Sequence, residues 1–161
     1  MSAADVAIES VTTMDGIDEV LAIEDAAFIN PWTREMYERD LANRDVSHIV
    51  LARAADGVAV GFCSFWIVLD ELHINNLAVL PGRRRLGVGS RLVEHVLRHA
   101  QQKGAGRATL EVRRSNEPAI RLYTRWGFLV SAVRHNYYEQ PDEDALILWR
   151  ENLPISSPAS A

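Results

Sequence analysis

One cysteine in 161 residues leaves no partner for an internal disulfide. Cys63 sits in an apolar run without basic or histidine-rich neighbours to activate a thiolate, so a buried free thiol is expected there rather than a nucleophile. Basic residues are outnumbered, 17 Lys and Arg against 22 Asp and Glu, for a net charge of −5. That balance argues against direct nucleic-acid binding, which needs a broad basic footprint. No apolar run is long. The longest, residues 58–69, contains Gly61 and Ser64 and is too short to span a bilayer. The first ten residues, MSAADVAIES, are acidic and lack an apolar signal core, which makes the cytoplasm the expected compartment and a membrane partner unexpected. His95 and His99, four apart on a helical pattern, lack the glutamate that follows the first histidine of a zinc motif and a third ligand, so no metal is expected.

What is present is an ordinary globular composition, 48% hydrophobic and 24% charged, on a chain long enough to bury a core without staples. One domain over residues 1–153 is expected, with a frayed Pro/Ser/Ala-rich tail over 154–161. Alternation predicts a first strand over 6–11, and helical spacing of Ile17, Val20, Leu21, Ile23 and Ala27 predicts a helix over 15–28. Asn30-Pro31-Trp32-Thr33 breaks that helix, and Thr33 caps a second one running to 43. The runs 48–54 and 58–69 flank Ala55-Asp56-Gly57, a hairpin signal, and 72–80 reads as a further strand ending at Pro81-Gly82. A helix over 87–103, a strand over 107–113, a helix over 116–126 stopped by Gly127, and strands over 128–138 and 144–150 complete the chain. Early strands followed by βαβα predict an α/β domain with a mixed sheet and helices on both faces.

Chemistry concentrates in two places. After the strand Asn76-Leu77-Ala78-Val79-Leu80 comes the turn Pro81-Gly82-Arg83-Arg84-Arg85-Leu86-Gly87-Val88-Gly89-Ser90, which opens a helix. Backbone N–H groups at such a turn converge, and the helix start adds partial positive charge, so a pyrophosphate fits there. The pattern is neither a P-loop nor a dinucleotide fingerprint, and by itself it serves equally as a solvated helix start. Glu111 lies in a strand whose neighbours Leu110 and Val112 face the other side; it is either a solvated carboxylate or a base at the strand's C-terminal edge. Tyr123 shares a helix face with Ala119, Ile120 and Trp126, and Asn116 before Pro118 suits a helix cap. Tyr137-Tyr138 beside Arg134 reads as a groove wall or an amphipathic edge strand.

Taken together these residues resemble the GNAT superfamily of N-acetyltransferases. Arg84-x-x-Gly87-x-Gly89 matches its acetyl-CoA signature directly after Leu77-Ala78-Val79, and Leu110-Glu111-Val112-Arg113, Asn116, Leu122-Tyr123 and Gly127-Phe128 follow at the family's spacing. Asn30-Pro31-Trp32-Thr33, Glu71-Leu72, Asn136-Tyr137-Tyr138 and Glu143-Asp144-Ala145 are similar to bacterial ribosomal-protein alanine N-acetyltransferases. The resemblance implies the GNAT fold, a central twisted mixed sheet flanked by helices. It implies acetyl-CoA as co-substrate, held by Leu77, Ala78, Val79, Arg84, Arg85, Leu86, Gly87, Val88, Gly89, Ser90 and Asn116. It further implies Glu111 as general base, Tyr123 as general acid, Trp32 and Tyr138 beside the acceptor, and a ribosomal protein's N-terminus as that acceptor. Another amine, such as a lysine side chain, a polyamine or an antibiotic, is the alternative acceptor; a CoA-binding sensor without turnover is the alternative class.

Overall fold

Alternation of side chains along each strand lets one sheet feed two cores, and the helices divide between them. The computed structural model describes residues 5–28 and 30–153; the predicted tail lies outside them. Strands β1 (Ala7–Ser10), β2 (Ser47–Arg53), β3 (Ala59–Val68), β4 (Glu71–Val79), β5 (Arg107–Arg113), β6 (Leu129–Tyr138) and β7 (Glu143–Arg150) form one seven-stranded sheet in the order β1-β2-β3-β4-β5-β7-β6. Every pairing is antiparallel except β4 with β5, which a helical crossover connects. Helices α1 (Met14–Ala27), α2 (Arg34–Ala42), α3 (Val88–Gln102) and α4 (Glu117–Arg125) lie within two residues of the predicted bounds.

Along β2, Ile49 and Leu51 join the core under α1 and α2, whereas Val50 and Ala52 join the core under α3 and α4. Helix α3 supplies the largest apolar stripe: Val88, Leu92, Val93, Val96, Leu97 and Ala100 are all buried. Each buried Val or Leu side chain contributes about 1.5–3 kcal/mol, so this face anchors the crossover and hence the turn before it. Thr33 Oγ1 accepts from the Met36 N–H at 3.3 Å and caps α2. Asn116 Oδ1 accepts from the Ala119 N–H at 3.3 Å and caps α4. Gly57 between β2 and β3, Gly104 after α3 and Gly127 after α4 have φ of 88°, 94° and 88°. No helix among the described residues is long and apolar enough to cross a membrane.

One irregularity positions everything that follows. On β4, Ile74 pairs with Phe65 and Asn76 with Ser64, leaving Asn75 as an extra residue. Such a bulge bends and twists its strand. The parallel ladder between β4 and β5 accordingly covers only Glu71 to Ile74 opposite Arg107 to Leu110. Beyond it β5 continues to pair with β7 as far as Arg113, while residues 76–79 of β4 stay with β3. The sheet therefore opens as a V between the ends of β4 and β5.

Candidate active site

The first wall of the V is backbone. The Leu80 N–H donates to the Val60 carbonyl at 2.8 Å, on the β3 side. N–H groups alternate between the two edges of a strand, so those of Val79 and Leu77 point into the opening. The side chains of Leu77 and Val79 rest on the α3/α4 core, and Ala78 belongs to the α1/α2 core. At the tip, the Arg84 Nε–H donates to the Val79 carbonyl at 3.0 Å.

The turn from β4 to α3 begins with a 3-10 turn, Pro81–Arg83, and then passes twice through left-handed backbone, at Arg85 (φ 65°) and Gly87 (φ 84°). Gly87 is the N-cap of α3, so this geometry presents backbone N–H groups at a helix start, where an anion is favoured. A Cβ on Gly89 would stand 3.2 Å from Leu122 Cδ2, so this glycine permits the close approach of α4 as well as an open turn. Ser90 Oγ accepts from Trp126 Nε1 at 3.0 Å, which ties the α3 start to α4. Val88 is buried, and its part in the turn is confined to its backbone. Of the arginines, Arg83 pairs with Asp56 at 3.2 Å, and Arg84 is turned back to β4.

The second wall is β5, whose first residue past the ladder is Glu111. Leu110 and Val112 are buried in the α3/α4 core, so Glu111 faces the α1/α2 side. There its Oε2 lies 2.7 Å from His73 Nε2, with side chains 20% and 31% exposed. The His73 hydrogen bond holds the Glu111 carboxyl below the usual carboxylate range, overcoming the opposing effect of burial, and Arg134 adds to it. Sequence reasoning missed His73. It stands opposite Thr109 in the parallel ladder, and only that register brings it to Glu111.

Tyr123 lies on the other face, 5% exposed, its ring edge-on to Phe128 at 5.6 Å. Burial pushes its hydroxyl well above the ordinary tyrosine range. Tyr138 stands at the end of β6, with the Arg113 guanidinium 4.4 Å from its ring centre. Burial, then Tyr137 and the negative charge of Glu111, push its hydroxyl up to about 12.

Two loops are fastened beside the α1/α2 side of the V. Asn30 Nδ2 donates to the carbonyls of Glu139 and Gln140 at 3.1 and 2.9 Å, joining the α1–α2 loop to the β6–β7 loop. Arg113 donates to the Glu139 and Pro141 carbonyls at 3.2 and 3.0 Å. Trp32 is half-buried against Tyr37, ring centres 5.2 Å apart, and its indole N–H donates to the Asn76 amide oxygen at 3.2 Å. Its backbone N–H donates to buried Glu24 at 3.3 Å, and the Tyr37 hydroxyl donates to the same carboxyl. Trp32 is thus built into the support of β4. Among the described residues no group of three or more His, Cys, Asp or Glu side chains could hold a metal ion; His95 and His99 lie with ring centres 6.4 Å apart.

The chain matches the model of the acetyltransferase (GNAT) family over residues 17–128. The ribosomal protein bS18-alanine N-acetyltransferase of Escherichia coli K12 is 34% identical over 151 residues, 92% of this chain and 97% of its own. A candidate enzyme of that name from Bacillus subtilis 168 is 37% identical over 136 residues, 84% of this chain and 89% of its own. The crystal structure of the ribosomal-protein-S18-alanine N-acetyltransferase from Escherichia coli superposes with a TM-score of 0.84 at 31% identity, over 94% of this chain and 96% of that one. This chain belongs to the GNAT acetyltransferase family and is an N-acetyltransferase.

Proposed function

We propose that the protein transfers the acetyl group of acetyl-CoA directly to the α-amine of a protein N-terminus, that of a ribosomal protein of the bS18 kind beginning with alanine. The observation that carries this reading is the V between β4 and β5, with Glu111 on one face of the sheet and Tyr123 in the core of the other. An amine reaching the α1/α2 face meets a carboxylate, and a thioester reaching the gap from the α3/α4 face lies toward the tyrosine. The residues present fit the co-substrate. Val79 and Leu77 offer N–H groups along the gap, and the left-handed backbone at Arg85 and Gly87 opens a helix start suited to a pyrophosphate. In this reading Leu77, Ala78 and Val79 pair with the pantetheine arm, and the amides from Arg85 to Ser90 take the phosphates. Arg84 steadies the tip of β4, and Asn116, at the start of α4, lies alongside the co-substrate.

Bound acetyl-CoA supplies an activated acyl carbon. The chain supplies the rest. The Val79 N–H polarises the carbonyl where negative charge develops. An α-amine has a reference pKa of about 8 and arrives mostly protonated, so it must lose a proton before it attacks. Glu111 takes that proton, directly or through water, and Tyr123 returns one to the departing thiolate. Trp32 and Tyr138 flank the acceptor, where an extended peptide can be held by main-chain hydrogen bonds. The names of the relatives support the acceptor, and a ribosomal acceptor goes with a cytoplasmic enzyme whose catalytic domain spans residues 1–153.

Replacing Glu111 by Gln tests the base. Turnover should fall by about 10²–10⁴ near neutral pH and recover in part at high pH, where the amine is already free. A loss below tenfold, or one independent of pH, refutes the assignment.

A further inference from the structure

The contact between His73 and Glu111 has no part in the mechanism above, yet at 2.7 Å it is short and holds the carboxylate directly. It joins neighbouring parallel strands at the point where their ladder ends. Ile74 opposite Leu110 is the last pair, and Glu111 is the first β5 side chain beyond it. The imidazole is itself held in place. Trp66 of β3 stands edge-on to it, ring centres 5.7 Å apart, and Asp40 of α2 lies 3.5 Å from the Trp66 indole nitrogen. The charged groups around the pair come from several elements. Arg134 of β6 acts on Glu111, whose charge in turn acts on Tyr138 of the same strand, and Glu71 of β4 is paired with Arg107 of β5 two positions before His73.

We infer that His73 is a positioning residue that aims Glu111. This rests on the reading of Glu111 as the base. With a neutral imidazole, Nε2–H donates to Oε2, fixing the carboxylate and leaving Oε1 toward the acceptor amine.

His73→Ala, which loses the aim, should lower kcat by about tenfold or more while the KM for acetyl-CoA stays put. His73→Gln, whose amide can still donate to Glu111, should restore most of that loss. In the Glu111→Gln protein, His73→Ala should lower kcat no further, because no carboxylate is left to aim. Thermal melts of each variant show that it folds. A His73→Ala protein as active as the unaltered one, a His73→Gln protein that restores nothing, or a further loss in the Glu111→Gln protein overturns the inference and leaves the reading of Glu111 in place. An active Glu111→Gln protein removes the reading beneath it.

Discussion

Deleting one oxygen from the core separates catalysis from packing at Tyr123. Tyr123→Phe keeps the ring against Phe128, and the side chain is 5% exposed, so the apolar burial is almost unchanged. A buried hydroxyl contributes little net stability, about 1 kcal/mol in either direction, which in a domain of this size is about 2–4 °C in Tm. Proton delivery to the leaving thiolate is a much larger quantity. Thiols have a reference pKa of about 8.5, so a thiolate leaving at neutral pH needs a donor. Burial keeps the Tyr123 hydroxyl protonated until that charge develops. General-acid roles are worth about 10²–10⁴ in rate, equivalent to about 3–5 kcal/mol of transition-state stabilisation. The assay follows CoA release with a thiol reagent, beside thermal melts with and without acetyl-CoA. The expected result is a loss of a hundredfold or more in kcat, with the melting temperature and the acetyl-CoA-induced shift preserved. A loss below tenfold, or one that tracks a large fall in Tm, refutes the assignment and returns Tyr123 to the core as a packing residue.

Gly89→Glu puts a Cβ 3.2 Å from Leu122 and a negative charge at the helix start. The stabilisation by acetyl-CoA, which follows mass action, should vanish in its thermal melt, and an undiminished shift would remove the turn from the site. Glu24 is buried, and its burial raises its carboxyl above the ordinary value. A carboxyl raised in the folded state contributes stability at low pH that is lost as pH rises through its folded value. Glu24→Gln should therefore gain stability relative to the unaltered protein as pH rises above the unfolded carboxyl's value of about 4.3, and a constant or falling difference in thermal melts contradicts this reading of the buried carboxyl.

Much of this site was legible because local rules carry it. Thr33 and Asn116 are caps by residue type, and Glu111 faces away from Leu110 and Val112 because strands alternate. What local rules do not carry is register. The extra residue at Asn75 flips the alternation of β4, and nothing in the run 72–80 announces it. His73 meets Glu111 across 38 residues of chain through a parallel pairing that sequence pattern leaves open. The tether from Asn30 to the β6–β7 loop is likewise a contact between two polar turns with no periodicity to betray it. Trp32, expected beside the acceptor, is also part of the support beneath β4, because its indole N–H reaches Asn76. Gly89, expected to admit phosphates, also admits Leu122.

The central claim is acetyl transfer to a small first residue of a protein chain, and one peptide series tests it. The peptides share the sequence that follows the first residue of a bS18 protein and differ only in that residue: Ala, Ser, Leu or Trp. A version with a blocked N-terminus and one free lysine, together with spermidine, completes the set. Each is incubated with the protein and acetyl-CoA and read by mass spectrometry with fragment assignment. The account predicts one acetyl group on the α-nitrogen of the Ala and Ser peptides, much slower transfer to Leu and Trp, and little to lysine or spermidine. The alanine that the relatives' names specify is what makes a small first residue the expected one. Equal rates across the first residues, or a preference for lysine or spermidine, contradict the N-terminal acceptor.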